Sequence, residues 1–214
     1  MAWGASRYAV AFVLLAAACG GDGGAGGENG GTVSVGMSAD FQPINSITAG
    51  DQYTVELINY ALFTPLIQYD ENLGVRPYLA ERWDMTPNDI TFHLRRDVKW
   101  HDGRPVTADD VKFTFDAAKD PAAGSLIGSA YLPQVKTAEV VDSFTIKFSF
   151  TQPHAQALED FWWAPMPRHL LQTASAAEMR NAAFNRQPVG SGPYKFAQWQ
   201  ANQRLIIERN PAFP

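Results

Sequence analysis

The chain has a single cysteine, Cys19, so no disulfide can form within it or brace its core. Its four histidines, His93, His101, His154 and His169, are scattered and lack partners at ligand spacing, which argues against a metal site. No H-E-x-x-H, C-x-x-C or G-x-S-x-G element is present, so these zinc, redox and hydrolase signatures are excluded. Positive charge is scarce. Lys and Arg number 17 against 22 Asp and Glu, a net charge of −5, and no basic stripe exists to neutralise the phosphates of a nucleic acid. No apolar run is long enough to cross a bilayer, and there is no internal repeat. What is plentiful is core material: 46% hydrophobic and 12% aromatic residues, enough for a packed globular domain.

The N-terminus sets the expected compartment. Arg7 is the only charge before a ten-residue apolar run, Ala9 to Ala18, which is too short to span and fits the apolar region of a signal peptide. Residues 1–18 are read as that leader, and its removal with Arg7 takes the net charge from −5 to −6. Leu15-Ala16-Ala17-Ala18-Cys19 resembles a lipobox, which makes Cys19 the expected lipidation site and mature N-terminus. Gly20 to Gly31 has eight glycines in twelve residues and reads as a flexible tether. Its root-mean-square reach is roughly 20 Å. The expected location is therefore extracytoplasmic, anchored to the cell membrane and not spanning it.

Leu79 to Ala117 is the most informative stretch. Ile90, Phe92 and Leu94 alternate with polar neighbours, the period of a half-buried strand. His101-Asp102-Gly103-Arg104-Pro105 reads as a turn, since Gly tolerates positive φ and Pro ends a strand. Thr107 to Asp110 reads as a capping box, and Ala108, Val111, Phe115 and Ala118 follow at helical spacing as a core face. His101 and Asp102 are adjacent on a turn, where side chains diverge. Bonding to the turn backbone is favoured over catalysis.

Elsewhere the elements alternate in an α/β manner. Thr32 to Met37 is read as a strand, Ser38 to Gly50 as a loop, and Asp51 to Phe63 as a helix carrying Val55, Ile58 and Leu62. Leu66 to Tyr69 is a strand before the turn at Asp70 to Gly74. Thr137 to Val141 and Thr145 to Phe150 form a hairpin about Asp142-Ser143. Short helices at Leu158 to Trp163 and Arg168 to Gln172 flank the bend at Pro165 and Pro167. A second hairpin pairs Tyr194 to Gln200 with Arg204 to Arg209.

Ala80, Trp83, Phe92, Leu94, Arg95, Val98, Trp100, His101, Asp102, Gly103, Pro105, Ala108, Asp110, Val111 and Phe113 stand in fixed register. In that order they resemble the signature region of the family 5 extracellular solute-binding proteins, the receptors of bacterial ABC importers. Ala164 to Leu171, APMPRHLL, and Pro188 to Phe213, containing Gly190-Ser191-Gly192-Pro193-Tyr194, are similar to two further segments of that family. The resemblance implies an α/β chain forming the N-terminal lobe of a two-lobed periplasmic-binding-protein fold of class II type, with mixed sheets and flanking helices. Residues 32–57 with 189–214 would form one subdomain and 58–188 the family-specific one. The second lobe would be absent, leaving an incomplete fold. A half-cleft covers only one side of a ligand, so weak or no binding by this chain alone is expected.

The resemblance further implies a monomer that captures oligopeptides or similar small solutes, without a cofactor, and delivers them to ABC permease subunits. Members with the same signature bind peptides, nickel chelates, opines or sugars. Candidate ligand contacts are Asp40, Phe41 and Gln42, on the loop after the first strand, where α/β proteins collect ligands. Trp162 and Trp163 are the second choice, as indoles able to stack on a side chain or sugar. The competing reading is that one Trp packs in the core and Phe41 covers a hinge. Two other functions stay open. An extracellular carbohydrate-acting enzyme would need two carboxylates facing across a cleft, and no such pair can be picked out. A non-binding half-receptor acting as an adaptor would present an apolar patch to its partner.

Overall fold

A computed structural model describes residues 31–214, so the leader, Cys19 and nearly all of the glycine tract lie outside the described residues. Residues 38–214 form one compact unit. Residues 31–37 belong to a separate unit and have no regular secondary structure, with Val33 87% and Val35 78% exposed. The strand expected at 32–37 is therefore not formed. Alternation marks a candidate strand, but the backbone becomes one only on a hydrogen-bonded neighbour, and no ladder includes these residues.

The body is built on a four-stranded antiparallel sheet. Strands β1 (Ile67–Tyr69) and β2 (Val75–Pro77) form a small ladder of their own. They precede β3 (Ala80–Met85) and β4 (Asp89–Leu94), and later come β5 (Val135–Asp142) and β6 (Thr145–Phe150). The large sheet runs in the order β3-β4-β6-β5, and every ladder among the described residues is antiparallel. Period two does its work here: Ile90, Phe92, Leu94, Ile146, Phe148 and Phe150 all point to the buried face. Phe92, Phe148 and Phe161 form a ring cluster with centroids 4.7–6.1 Å apart, and Phe115 joins it 5.6 Å from Phe148. Full burial of each such side chain stabilises by about 1.5–3 kcal/mol.

Helix α1 (Gln52–Glu56) opens the folded body, and α2 (Ala108–Lys119) packs on β5 and β6. The predicted face of α2, Ala108, Val111, Phe115 and Ala118, is buried throughout. Its capping acid is committed further than the motif indicates. One Asp110 oxygen accepts from Thr107 N at 3.0 Å and from the Trp100 indole at 3.3 Å, while the other accepts from Arg168 N at 2.9 Å. Asp110 thus ties the turn, the helix and the Pro-rich bend together.

Short helices α3 (Leu126–Ala130) and α4 (Arg168–Leu171) and a 3-10 turn at Ala157–Phe161 complete that side. Strands β7 (Tyr194–Gln200) and β8 (Arg204–Arg209) form the second hairpin, with the boundaries its sequence predicts. The predicted helix 51–63 forms, but only as far as Glu56 is it α-helical; Leu57–Leu62 is wound as a π-helix. π segments are rare and concentrate at functional sites.

Candidate functional site

The middle of the loop Ser38–Gly50, residues 44–49, is buried where loops are normally exposed. Ile44, Asn45 and Ile47 have no accessible surface, so their backbone groups need partners from the chain. Polar staples supply them. Ile44 N donates to Asn185 O at 3.1 Å and Asn45 Nδ2 to Asn185 Oδ1 at 3.0 Å, while Asn185 Nδ2 reaches the carbonyls of Met179 and Arg180. Ser46 Oγ donates to Ala164 O at 2.7 Å, which draws the Trp-containing segment onto the loop.

A cavity of about 260 Å³ opens beside this seam. The loop contributes Ser46 and Ala49, the helix Asp51, Val55, Ile58 and Asn59, the α3 region Leu126, Ile127 and Tyr131, and the bend Trp162 and Trp163. The lining is mainly apolar and aromatic. Asn59 Nδ2 donates to Trp162 O at 3.1 Å and so sets the position of the bend. The π-helical winding carries Ile58 and Asn59, two residues of this wall.

The two tryptophans have different roles. Trp163 is 2% exposed, donates its indole N–H to Asp160 O at 2.9 Å and packs beside Phe161, so it is a satisfied core residue. Trp162 is half-buried, with Tyr69 and Tyr60 at centroid distances of 5.8 and 5.9 Å. Its indole nitrogen is buried without a hydrogen-bond partner among the described residues. Asp51 shows the same feature. One oxygen caps α1 by accepting from Thr54 N at 2.9 Å, and the other is buried and unpartnered among the described residues. One donor and one acceptor are thus left over in residues that line the same cavity, and Thr48 Oγ1 on the loop beside it is likewise buried without a partner among the described residues.

Asp40, Phe41 and Gln42 are not in that lining. Asp40 joins the loop to the second hairpin. Its carboxylate accepts from Trp199 Nε1 at 3.0 Å, Asn202 N at 2.8 Å and Phe41 N at 2.9 Å. Desolvation pushes its pKa up, but those hydrogen bonds, with nearby Arg186, outweigh it and hold the carboxyl below its ordinary value. Gln42 folds back on the loop, donating its N–H to Thr54 Oγ1 at 2.8 Å and accepting from Gly50 N at 3.3 Å. Phe41 is half-buried.

The histidines are committed separately. His93 pairs with Asp84, His154 with Asp160 and His169 with Asp102, at 2.8, 2.9 and 2.7 Å. Asp102 also bonds its own turn, accepting from Arg104 N, as expected. His101 departs from its expected turn-bonding role: its ring bonds Gly190 and Gly192, about ninety residues away in the chain.

Comparisons with known proteins agree with this architecture. The sequence profile described as "Bacterial extracellular solute-binding proteins, family 5 Middle" matches residues 74–213. The oligopeptide-binding protein AppA of Bacillus subtilis is 31% identical over 189 residues, 86% of this chain and 34% of AppA. The AppA structure with a nonapeptide superposes with a TM-score of 0.74 at 28% identity, covering 84% of this chain and 36% of AppA. NikZ of Campylobacter jejuni, in complex with Ni(L-His), gives 0.71 at 29%, covering 85% of this chain and 35% of NikZ. A mannohexaose-bound periplasmic oligopeptide-binding protein of Thermotoga maritima gives 0.69 at 31%, covering 83% and 32% of the two chains. The chain spans about a third of the length of these relatives.

Proposed function

The chain belongs to the family 5 bacterial extracellular solute-binding proteins, and on that premise we propose that it supplies part of the capture site of an ABC importer. It acts outside the cytoplasmic membrane, holds an oligopeptide or similar small solute, and presents it to permease subunits without breaking any bond in it. Cys19 is the lipid anchor and the glycine tract the tether in this reading. Family membership supports the transport role, and the lipobox resemblance supports the anchor.

The observation that carries the ligand assignment is the cavity beside Trp162. Its volume of about 260 Å³ lies below the usual range of pockets that take a whole drug-sized ligand, roughly 300–1,000 Å³. It suits one piece of a larger ligand. Apolar walls at Val55, Ile58, Ile127 and Leu126, with an indole at the edge, suit a single bulky side chain of a peptide. Asp40, Phe41 and Gln42 act at the rim, positioning the loop more than touching the ligand, because Asp40 and Gln42 already hold protein groups.

Calorimetric titration with paired peptides tests this. Trp162→Ala is expected to weaken binding of a peptide carrying one Phe or Leu by about tenfold, about 1.4 kcal/mol, while the Ala analogue is unaffected. Equal losses for both peptides would remove the side-chain assignment.

A further inference from the structure

Two segments that are far apart in the sequence, the turn at His101–Pro105 and the glycine segment 190–193, meet at one imidazole. Gly190 N donates to Nδ1 of His101 at 3.1 Å, and Nε2 lies 3.1 Å from Gly192 O. A backbone N–H can only donate and a carbonyl can only accept. The ring is therefore neutral, with its hydrogen on Nε2. His101 N also donates to Gly190 O at 2.7 Å, closing the contact from the backbone side.

The segment gripped by this ring has no slack. A Cβ on Gly190 would lie 1.9 Å from Leu62 O and 2.9 Å from His101 Cε1, and one on Gly192 would lie 2.5 Å from Ala61 O. Ser191 N and Gly192 N both donate to Leu62 O at 2.9 Å, and Thr64 Oγ1 donates to Ser191 O at 2.9 Å. Beyond Pro193 the chain enters β7, and the β7–β8 hairpin holds Asp40 through Trp199 and Asn202.

We propose that His101 is a proton-labile latch: neutral, it fastens the Gly190–Gly192 segment and the hairpin beyond it to the 98–106 turn, and protonation opens that fastening. A protonated ring carries a hydrogen on both nitrogens, so Nδ1–H would face the Gly190 N–H, donor against donor. The charged groups facing the ring are Lys195 on β7 and Asp102 on its own turn, the latter bonded to His169 of α4 and to Arg104 N. The π-helical end contributes the carbonyl of Leu62 to the same knot. Burial, aided by Lys195, lowers the proton affinity of His101 and outweighs the opposite pull of the Gly192 carbonyl and Asp102. The folded value thus lies below the ordinary histidine value, so an unfolded chain takes up the proton first as pH falls. The latch contributes fully above the ordinary histidine range, and its contribution is lost as pH drops through the lower, folded value. Opening it also loosens the hairpin contact that holds the Asp40 loop.

Long-range proton–nitrogen NMR on the full chain with ¹⁵N-labelled histidine tests the assignment, with His101→Gln as the companion variant. Glutamine keeps one acceptor and one donor but does not titrate. The expected result is a His101 ring protonated at Nε2 that titrates below the ordinary histidine value. On acidification the Gly190 amide of the native chain should exchange about tenfold faster than that of the variant at the same pH. A ring protonated at Nδ1, or titrating at or above the ordinary value, overturns the proposal. So does a variant whose Gly190 amide follows the native chain in acid. Should the variant fail to fold, the tautomer and titration of the native ring decide.

Discussion

The sheet with α2 and the seam around residues 38–64 are held together by different physics. In the first, apolar and aromatic side chains meet face to face: Phe92, Phe115, Phe148 and Phe161 form a dry cluster with almost no polar atom to satisfy. In the second, buried Asn45, Ser46, Thr64, Asn185 and Ser191 fasten loops to one another through hydrogen bonds, and a cavity is left beside them. Hydrophobic packing is strong and non-directional, so it stabilises a scaffold. Buried hydrogen bonds contribute little net energy but penalise every wrong geometry, so they fix the position of a site. The cavity and the His101 latch both lie on the seam side.

The largest effect that would sharpen this contrast is Phe148→Ala. Removing the ring at the centre of the dry cluster should cost about 3–5 kcal/mol in urea unfolding. A cost below about 1 kcal/mol would mean the cluster does not dominate stability. Next comes Gly190→Ala on the seam. Its new methyl meets the Leu62 carbonyl, which is backbone and cannot swing away. A loss of about 1–3 kcal/mol is expected, by thermal or chemical unfolding. An unchanged midpoint would show that the seam yields more readily than its hydrogen bonds suggest. The smallest effects come from the adjacent tryptophans. Trp163→Phe loses the bond to Asp160 O and should cost about 1 kcal/mol. Trp162→Phe removes an indole N–H that has no partner among the described residues, so stability should stay within about 0.5 kcal/mol. Equal costs for the pair would erase the distinction between a satisfied, fully buried Trp and a half-buried one with an unpartnered N–H.

The two regions also differ in how well they can be read from sequence. Ile90-Phe92-Leu94 and Ile146-Phe148-Phe150 announce their strands because burial on one face imposes period two. The capped start of α2 and the β7–β8 hairpin are equally local. By contrast, β3 has its register shifted between Ala80 and Arg82, and its burial lacks clean alternation, so its pattern is hidden. The π-helical Leu57–Leu62 has the same apolar spacing as an α-helix and cannot be told from one by periodicity. At the candidate site, the pair Trp162–Trp163 stood out by composition, but which ring is packed and satisfied and which is left half-buried depends on where Asp160 O and Asn59 lie. Asp51, Asn59 and Tyr131 carried no signal beyond ordinary helix and loop chemistry.

The sequence by itself determined the α/β class, the family, the strand–turn–helix unit at 79–117 and the second hairpin, because these rest on side-chain periodicity and on turn and cap residues that act within a few positions. Only the tertiary structure decided that residues 32–37 form no strand, that Asp40 holds the hairpin and lies outside the cavity lining, and that His101 grips a glycine segment about ninety residues away. Those outcomes depend on which distant backbone group arrives within hydrogen-bonding distance, and that is set by packing of the whole chain and by no local pattern.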